Sequence, residues 1–212
     1  MSTFKKNLAS LSLATLCILL AQISFQPIAH SEAELSLKEI AEYFNKGNHL
    51  LALGRFEEAV ECYDLVLENS PNFVDAYLNK GSALLSLGEY AEAIECFDSA
   101  LEIDPNYAEA FNNKGIALSA LGKYQQAIEC FESVLGIDPD NIKALINTGL
   151  SLMYLGKYEE AIEYCDRVLD IDPNYAKAYY KKGIALKQLG RSNEADQCFQ
   201  KAHELDPTLE IP

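Results

Sequence analysis

The chain has 212 residues, 32 of them acidic against 17 basic, for a formal net charge of −15. A chain of this length ordinarily holds one or two domains. A field of this sign repels nucleic acid phosphates and anionic membrane surfaces, and suits solubility and cationic partners.

The first segment, residues 1–31, differs in kind from the rest. It carries Lys5 and Lys6, no acidic residue, an apolar heart from Leu8 to Ile23, and Ala29-His30-Ser31 before Glu32. A short basic region, an apolar stretch and small residues at that spacing predict a cleaved secretory signal peptide. The rival is an uncleaved anchor, because Asn7 to Ser31 is uncharged and nearly long enough to span a bilayer. Cys17 follows Thr15-Leu16, and a leucine directly before the cysteine does not suit a lipidation site. All 32 acidic residues and 15 of the 17 basic ones lie beyond residue 31, leaving a net charge near −17 there.

From residue 40 onward the chain repeats every 34 residues. Gly47, Gly81, Gly115, Gly149 and Gly183 keep this interval, as do Gly54 to Gly190, Ala59 to Ala195 and Pro71 to Pro207. Four columns in register over five periods define a tandem array, and periods of this length signal stacked supersecondary units. In residues 74–107, one apolar stripe runs through Val74, Tyr77, Leu84 and Leu87, and a second through Ala93, Ile94, Phe97, Ala100 and Leu101. Both recur at helical spacing. Gly88 between them stops the first helix, and Asp104-Pro105-Asn106 ends the second. Each repeat is therefore a helical hairpin, A then B. Gly81 falls inside helix A, where glycine costs about 1 kcal/mol relative to alanine. The expected compensation is a backbone-to-backbone approach of A and B at Gly81 and Ala93.

The residues Tyr77, Lys80-Gly81, Leu84, Gly88, Tyr90, Ala93, Phe97, Ala100 and Pro105 together resemble the tetratricopeptide repeat. The resemblance covers residues 40–207. It implies an all-α solenoid, a right-handed superhelix of five helix-turn-helix hairpins and about ten helices, with A lining the concave face. The expected organisation is a signal or anchor at 1–31 and a lead-in at 32–39. Repeats follow at 40–73, 74–107, 108–141, 142–175 and 176–209, then a tail at 210–212. Ser36 and Glu39 form a capping box that starts the first helix near Leu37. In the last helix B, Ser192, Asp196 and His203 replace an aromatic, an aliphatic and a leucine of the earlier repeats. Nothing is expected to stack beyond them, so the array reads as ending there.

The sequence offers little for catalysis. His30, His49 and His203 are too scattered for a triad or a metal cage, and Cys198 and His203 are poorly placed on one helix face. Cys62, Cys96, Cys130 and Cys198 share one column, with Cys165 shifted by one residue. Stacked equivalents lie about 10 Å apart, beyond the roughly 7 Å that a disulfide spans. The column reads as free thiols, which is unusual for an exported protein. The glutamates of helix B at 58, 61, 92, 95, 129, 160 and 163 read as a solvated outer face. The expectation is no enzyme, no metal, no cofactor and no small-molecule substrate.

Helix A carries the candidate site. One column reads Asn45, Asn79, Asn113, Asn147, then Lys181. Asparagine is not favoured mid-helix, and its amide both donates and accepts. The resemblance implies a ladder holding a peptide backbone; the alternative is hydrogen bonding within the solenoid or with water. Ile116, Leu150, Met153, Tyr154, Tyr180 and Ile184 are expected to face inward beside Lys143, Lys177 and Lys181. They form either a basic, apolar strip for an acidic-apolar segment or packing between repeats. Some members of the resembled family clamp a terminal carboxylate. Asn147, Lys177 and Lys181 match three of those positions, but Asn112 and Ile116 replace a lysine and an asparagine, so the clamp is incomplete.

The resulting reading is a non-catalytic module that binds a partner's peptide segment in its concave groove. It meets a membrane only if the N-terminal segment is uncleaved. The alternatives are a scaffold or assembly factor of an envelope complex using the convex face or ends, and an accessory subunit of an enzyme.

Overall fold

The computed structural model describes residues 35–210; the expected signal segment and the last two residues lie outside the described residues. The described part is all helix and turn. The helices are α1 (Leu37–Ala52), α2 (Phe56–Asn69), α3 (Val74–Leu87), α4 (Tyr90–Ile103), α5 (Ala108–Ala120), α6 (Tyr124–Ile137), α7 (Ile142–Tyr154), α8 (Tyr158–Ile171), α9 (Ala176–Gln188) and α10 (Ser192–Leu205). Odd and even helices pair as five hairpins, which stack in chain order into an α-solenoid.

Local chemistry sets the boundaries. The first helix opens on its capping box: the Ser36 side chain accepts from the Glu39 amide, and the Ser36 amide donates to Glu39 Oε2 at 2.9 Å. The Ser36 hydroxyl also hydrogen-bonds the Glu39 carboxylate, which holds that carboxyl below its usual range. Each odd helix ends at a glycine of the second column, with φ between +73° and +83°, a conformation a side chain would strain. Each even helix from α4 onward ends on an aspartate that accepts the amide of the residue two further on. Asp104 takes that of Asn106 and Asp172 that of Asn174. These turns set up the next odd helix.

Alanine columns allow the hairpins to nest. Ala76, Ala110, Ala144 and Ala178 are fully buried against the preceding even helix, and Ala59, Ala93, Ala127 and Ala161 are fully buried within their hairpins. Successive odd helices touch each other, whereas successive even helices do not. The odd helices therefore lie on the inside of the curve and form its concave face. The ends depart from these columns. Exposed Glu42 and His49 on α1 stand where later odd helices bury small residues, and exposed Ser192, Asp196 and His203 face outward on α10.

At four of the five glycines the nearest atoms belong to a ring rather than to the expected backbone; the backbone approach to the alanine column is seen at Gly149. An added Cβ on Gly81 would fall 2.6 Å from Phe97 Cε1, and the corresponding distances are 2.7 Å for Gly47–Tyr63, 2.5 Å for Gly115–Phe131 and 2.7 Å for Gly183–Phe199. Each glycine is a seat for a ring from the second helix of the same hairpin, and the four rings are at most 1% exposed. Gly149 differs: its nearest neighbours are Tyr164 Cβ at 3.5 Å and the Ala161 carbonyl at 3.6 Å.

Three junctions also carry an ion pair. Lys80–Asp64, Lys114–Asp98 and Lys182–Asp166 each join an odd helix to the preceding even helix at 2.5 Å. With the aspartates about half exposed, each contributes no more than about 1 kcal/mol. At the α6–α7 junction the lysine is replaced by buried Thr148, whose hydroxyl donates to the Ala144 carbonyl at 2.9 Å.

The glycine contacts predict opposite outcomes for one substitution. Gly149→Ala should raise stability by about 0.5–1 kcal/mol, since it meets only ordinary contacts and removes a helix-interior glycine. Gly81→Ala should lower it by about 1–3 kcal/mol through overpacking against Phe97. Urea denaturation of the two variants checks both signs.

Candidate functional site

The concave face carries the asparagine column, but its members are not equivalent. Asn79 Nδ2 donates to Asn48 Oδ1 at 2.9 Å, and the same oxygen accepts the Tyr63 hydroxyl at 2.8 Å. Asn113 Nδ2 donates to Ser82 Oγ at 3.3 Å, and Asn113 Oδ1 accepts from Asn112 Nδ2 at 3.1 Å. The two middle carboxamides are thus engaged within the solenoid. Asn45 and Asn147 have no side-chain hydrogen bond among the described residues.

Asn147 lies in a depression of about 270 Å³ between α5 and α7. Ile116, Ala120, Tyr124, Leu150 and Tyr154 supply its apolar surface. Tyr154 is 63% exposed and stacks on Tyr124, with centroids 4.7 Å apart and planes within 8°. Sequence reasoning missed Tyr124 and Ala120. The signal was a drifting column: Ala52, Ser86, Ala120, Tyr154 and Gln188 occupy one position, and only the fourth is aromatic.

The remaining expected site residues divide into two groups. Met153 packs against Ile128, Leu152 and Ala161, while Tyr180 and Ile184 pack against Phe199 and its neighbours. These three are partly buried and support the wall. Lys143 and Lys177 are exposed, and Lys181 is half-buried with no carboxylate partner among the described residues. Burial lowers the Lys181 pKa, and Lys177 one turn earlier on α9 lowers it further. Of the three, Lys143 stands one helical turn from Asn147 on α7, and Lys177 and Lys181 lie on α9. Below it, Lys143 and the amides of Asn112, Asn113 and Asn141 line a more polar hollow, in which Asn112 Oδ1 is buried without a donor.

A second apolar hollow of about 550 Å³ lies at the α1 end of the same face, around Leu37, Ile40, Phe44 and Phe73, with Asn45 on its wall. The Phe44 and Phe73 rings are 4.6 Å apart. Leu37 is 85% exposed.

The even helices place their glutamates in water. Glu58, Glu61, Glu92, Glu95, Glu129, Glu160 and Glu163 are all exposed. The five described cysteines are free, four of them buried and Cys198 half-buried. Burial pushes the Cys96 thiol up to about 11 and Cys165 to about 12. Among the described residues no group of three or more potential ligands gathers for a metal, and no helix is long and apolar enough to cross a membrane.

Comparison with known proteins agrees with this architecture. One family model described as tetratricopeptide repeat matches residues 44–108, and a second matches 108–141, 142–175 and 176–209. No curated protein sequence matches. Among solved structures, a MamA protein is 26% identical with a TM-score of 0.74, covering 82% of this chain and 98% of that one. MamA residues 41–end from Desulfovibrio magneticus RS-1 is 26% identical with a TM-score of 0.76, covering 81% and 97%. YrrB, described as a TPR protein with an unusual peptide-binding site, is 25% identical with a TM-score of 0.69, covering 78% and 85%.

The thiol environments predict a labelling pattern. At pH 8 about one Cys96 in a thousand is thiolate, and Cys165 fewer still. Maleimide should modify Cys198 alone among the five in the native protein, and Cys62, Cys96, Cys130 and Cys165 only after denaturation; peptide mapping reads the sites.

Proposed function

This chain belongs to the tetratricopeptide repeat family, a family of non-catalytic protein-interaction modules, and from that premise we propose that its concave face binds a partner's peptide segment. One observation carries the reading: the Asn147 carboxamide has no side-chain hydrogen bond among the described residues and opens into an apolar depression, with Lys143 one helical turn earlier on α7. An amide with a free donor and a free acceptor matches both hydrogen-bonding groups of a peptide backbone without reading its sequence. Ile116, Leu150 and Tyr154 supply desolvated contact area, where most binding energy concentrates. Lys143, Lys177 and Lys181 set the preference for acidic, apolar segments against the repulsive field of the rest of the chain. The likeness to YrrB, itself described as having a peptide-binding site, supports the same mode.

Internal hydrogen bonding favours Asn45 and Asn147 over Asn79 and Asn113 as the asparagines that serve. Asn79 and Asn113 must break internal hydrogen bonds to engage a ligand, whereas Asn45 and Asn147 need break none. This reading sets the register at the two hollows rather than evenly along the groove.

A second reading rests on a different surface. Ile103, Ile137 and Ile171 recur at one column at the ends of α4, α6 and α8, each 38–45% exposed. This apolar edge would serve a scaffold that docks outside the groove. We also propose export by a cleaved signal, supported by the basic, apolar and small-residue order of residues 1–31.

The two surfaces are separable. Ile116→Glu with Asn147→Ala should weaken capture of a partner at least about tenfold, while changing stability by no more than about 0.5–1 kcal/mol, because both positions are accessible. Binding that survives this change and is lost in Ile137→Glu assigns the function to the outer edge. For export, mass spectrometry of the native N-terminus should find a chain beginning near Glu32; Met1 in soluble cytosolic protein would exclude it.

A further inference from the structure

The apolar hollow at the α1 end owes its opening to a change at one junction of the array. Two columns meet at these junctions, and they read Ala41 with Phe73 at the first and Asp75 with Tyr107 at the second. At the second junction the Tyr107 hydroxyl donates to Asp75 Oδ1 at 2.9 Å. At the first, a methyl group stands for the carboxylate and a phenyl ring for the phenol, so neither side chain can donate or accept. Ala41 and Phe73 instead line the hollow of about 550 Å³, together with Leu37, Ile40 and Phe44. Leu37 is 85% exposed, and the Phe44 and Phe73 rings present an aromatic pair to the opening.

This hollow and the Asn147 depression stand diagonally across the groove. The first is lined from the N-terminal half of α1, the second from the C-terminal halves of α5 and α7. Ile40 and Phe44 correspond in the repeat to Ile142 and Ile146, eight residues before Leu150 and Tyr154. Each hairpin repeats the direction of the one before, so this offset amounts to about 12 Å along the helix axes. Across the helices the two hollows are about two hairpin steps apart, about 20 Å. The diagonal is about 23 Å, which an extended chain covers in about seven residues. Asp75 on α3 stands at the level of Ala41, one hairpin further on, and Glu109 on α5 follows it. Both carboxylates are exposed, and neither has an ion pair among the described residues.

Resting on the groove reading above, we propose that the two hollows act together as a ruler: the groove takes an extended partner segment with an aromatic side chain in the α1 hollow, an aliphatic side chain in the Asn147 depression about seven positions away, and a basic residue between them that faces Asp75. The larger hollow takes the ring because the Phe44 and Phe73 rings already line it, and aromatic pairs gain more than their buried area alone supplies. The depression of about 270 Å³ takes the smaller side chain. A basic residue leaving the first hollow meets an exposed carboxylate that no cation of the fold neutralises, so the charges of ligand and wall are complementary. The lysines of α9 lie beyond the second anchor and are not used. Two anchors on one chain bind as a linked event, and the gain is largest where the linker matches the span. Affinity should therefore depend on the spacing of the anchors and not only on their presence.

The test uses the full chain and a panel of blocked, dye-labelled peptides on a serine–glycine background, with affinity read by fluorescence anisotropy. Each carries one phenylalanine and one leucine, three to eleven positions apart and in both orders, with either a lysine or a glutamine between them. A further peptide carries the leucine alone. The native chain should bind at least about tenfold more tightly at a spacing near seven than at three or eleven, and should prefer lysine to glutamine about threefold. Leu37→Glu, at an exposed position, should flatten the spacing profile to within about twofold and leave the affinity for the leucine-only peptide unchanged. Asp75→Asn, which keeps an acceptor for the Tyr107 hydroxyl, should remove the lysine preference and leave the spacing profile. If Leu37→Glu does not fold by circular dichroism, Ala41→Phe, which fills the same hollow, takes its place with the same readouts. A spacing profile that is flat in the native chain, or that survives the charged or filled hollow, overturns the ruler. Binding that is still lost in Ile116→Glu with Asn147→Ala then leaves the groove reading intact. A lysine preference that is absent from the native chain, or that persists in Asp75→Asn, overturns the place given to the basic residue. If no peptide binds the native chain, the ruler and the groove reading fall together.

Discussion

The contact between a glycine in the first helix of a hairpin and an aromatic ring from the second holds this structure to its repeat. A side chain at Gly81 would need the space that Phe97 occupies, and the same holds for Gly47, Gly115 and Gly183 with their rings. The ring cannot seat unless the helices cross at one separation, and that separation lets the alanine columns nest against the next hairpin. Substituting a ring by a smaller side chain would leave a cavity at the centre of the unit, the costliest place for one in a close-packed core. Ion pairs such as Lys80–Asp64 join neighbouring hairpins, but the α6–α7 junction lacks one and still carries a continuous apolar cluster through Phe131, Val134, Ala144 and Leu145. Packing therefore dominates over charge in holding the stack.

Where the repeat is obeyed, the groove is occupied with its own maintenance. Asn79 and Asn113 donate to neighbouring helices, and Tyr180 and Ile184 brace the last hairpin. Where the repeat is broken, groups become available to something outside. Asn147 has no side-chain hydrogen bond among the described residues, Tyr154 stands out of the surface on Tyr124, and Lys181, where earlier repeats carry asparagine, has no carboxylate partner among the described residues. These departures cluster on α7 and α9. An array built from near-identical units gains an address only by such departures, because an unbroken ladder offers the same contacts at every step.

Much of the fold was legible in the sequence because it depends on contacts inside one 34-residue unit or between adjacent units, and five copies report each contact five times. The hairpin order, the left-handed glycines, the aspartate turns and the Ser36–Glu39 cap all fall in this class. The ring-seating role of the first glycine column at Gly47, Gly81, Gly115 and Gly183 was not read from the sequence, because its spacing to Ala93 and to Phe97 is equally compatible with one helical hairpin. The site was less legible. Whether an asparagine is engaged depends on residues about 31 positions away, as with Asn79 and Asn48, and on rotamers that periodicity does not encode. Tyr124 and Ala120 escaped because each looks ordinary in its own column and matters only through Tyr154. The Tyr164–Cys165 shift was visible as a shifted cysteine, but its consequence, a glycine that meets no ring, needed Gly149 in place beside it.

The polar ends of the stack bear on how copies of the chain can assemble. A solenoid whose first and last faces matched would propagate head to tail, and such heterologous contacts build open fibres rather than closed oligomers. Here Glu42 and His49 at one end would face Asp196 and His203 at the other. Burying those carboxylates without matched partners would cost several kcal/mol each. The same residues that terminate the core thus act against polymerisation along the superhelix axis.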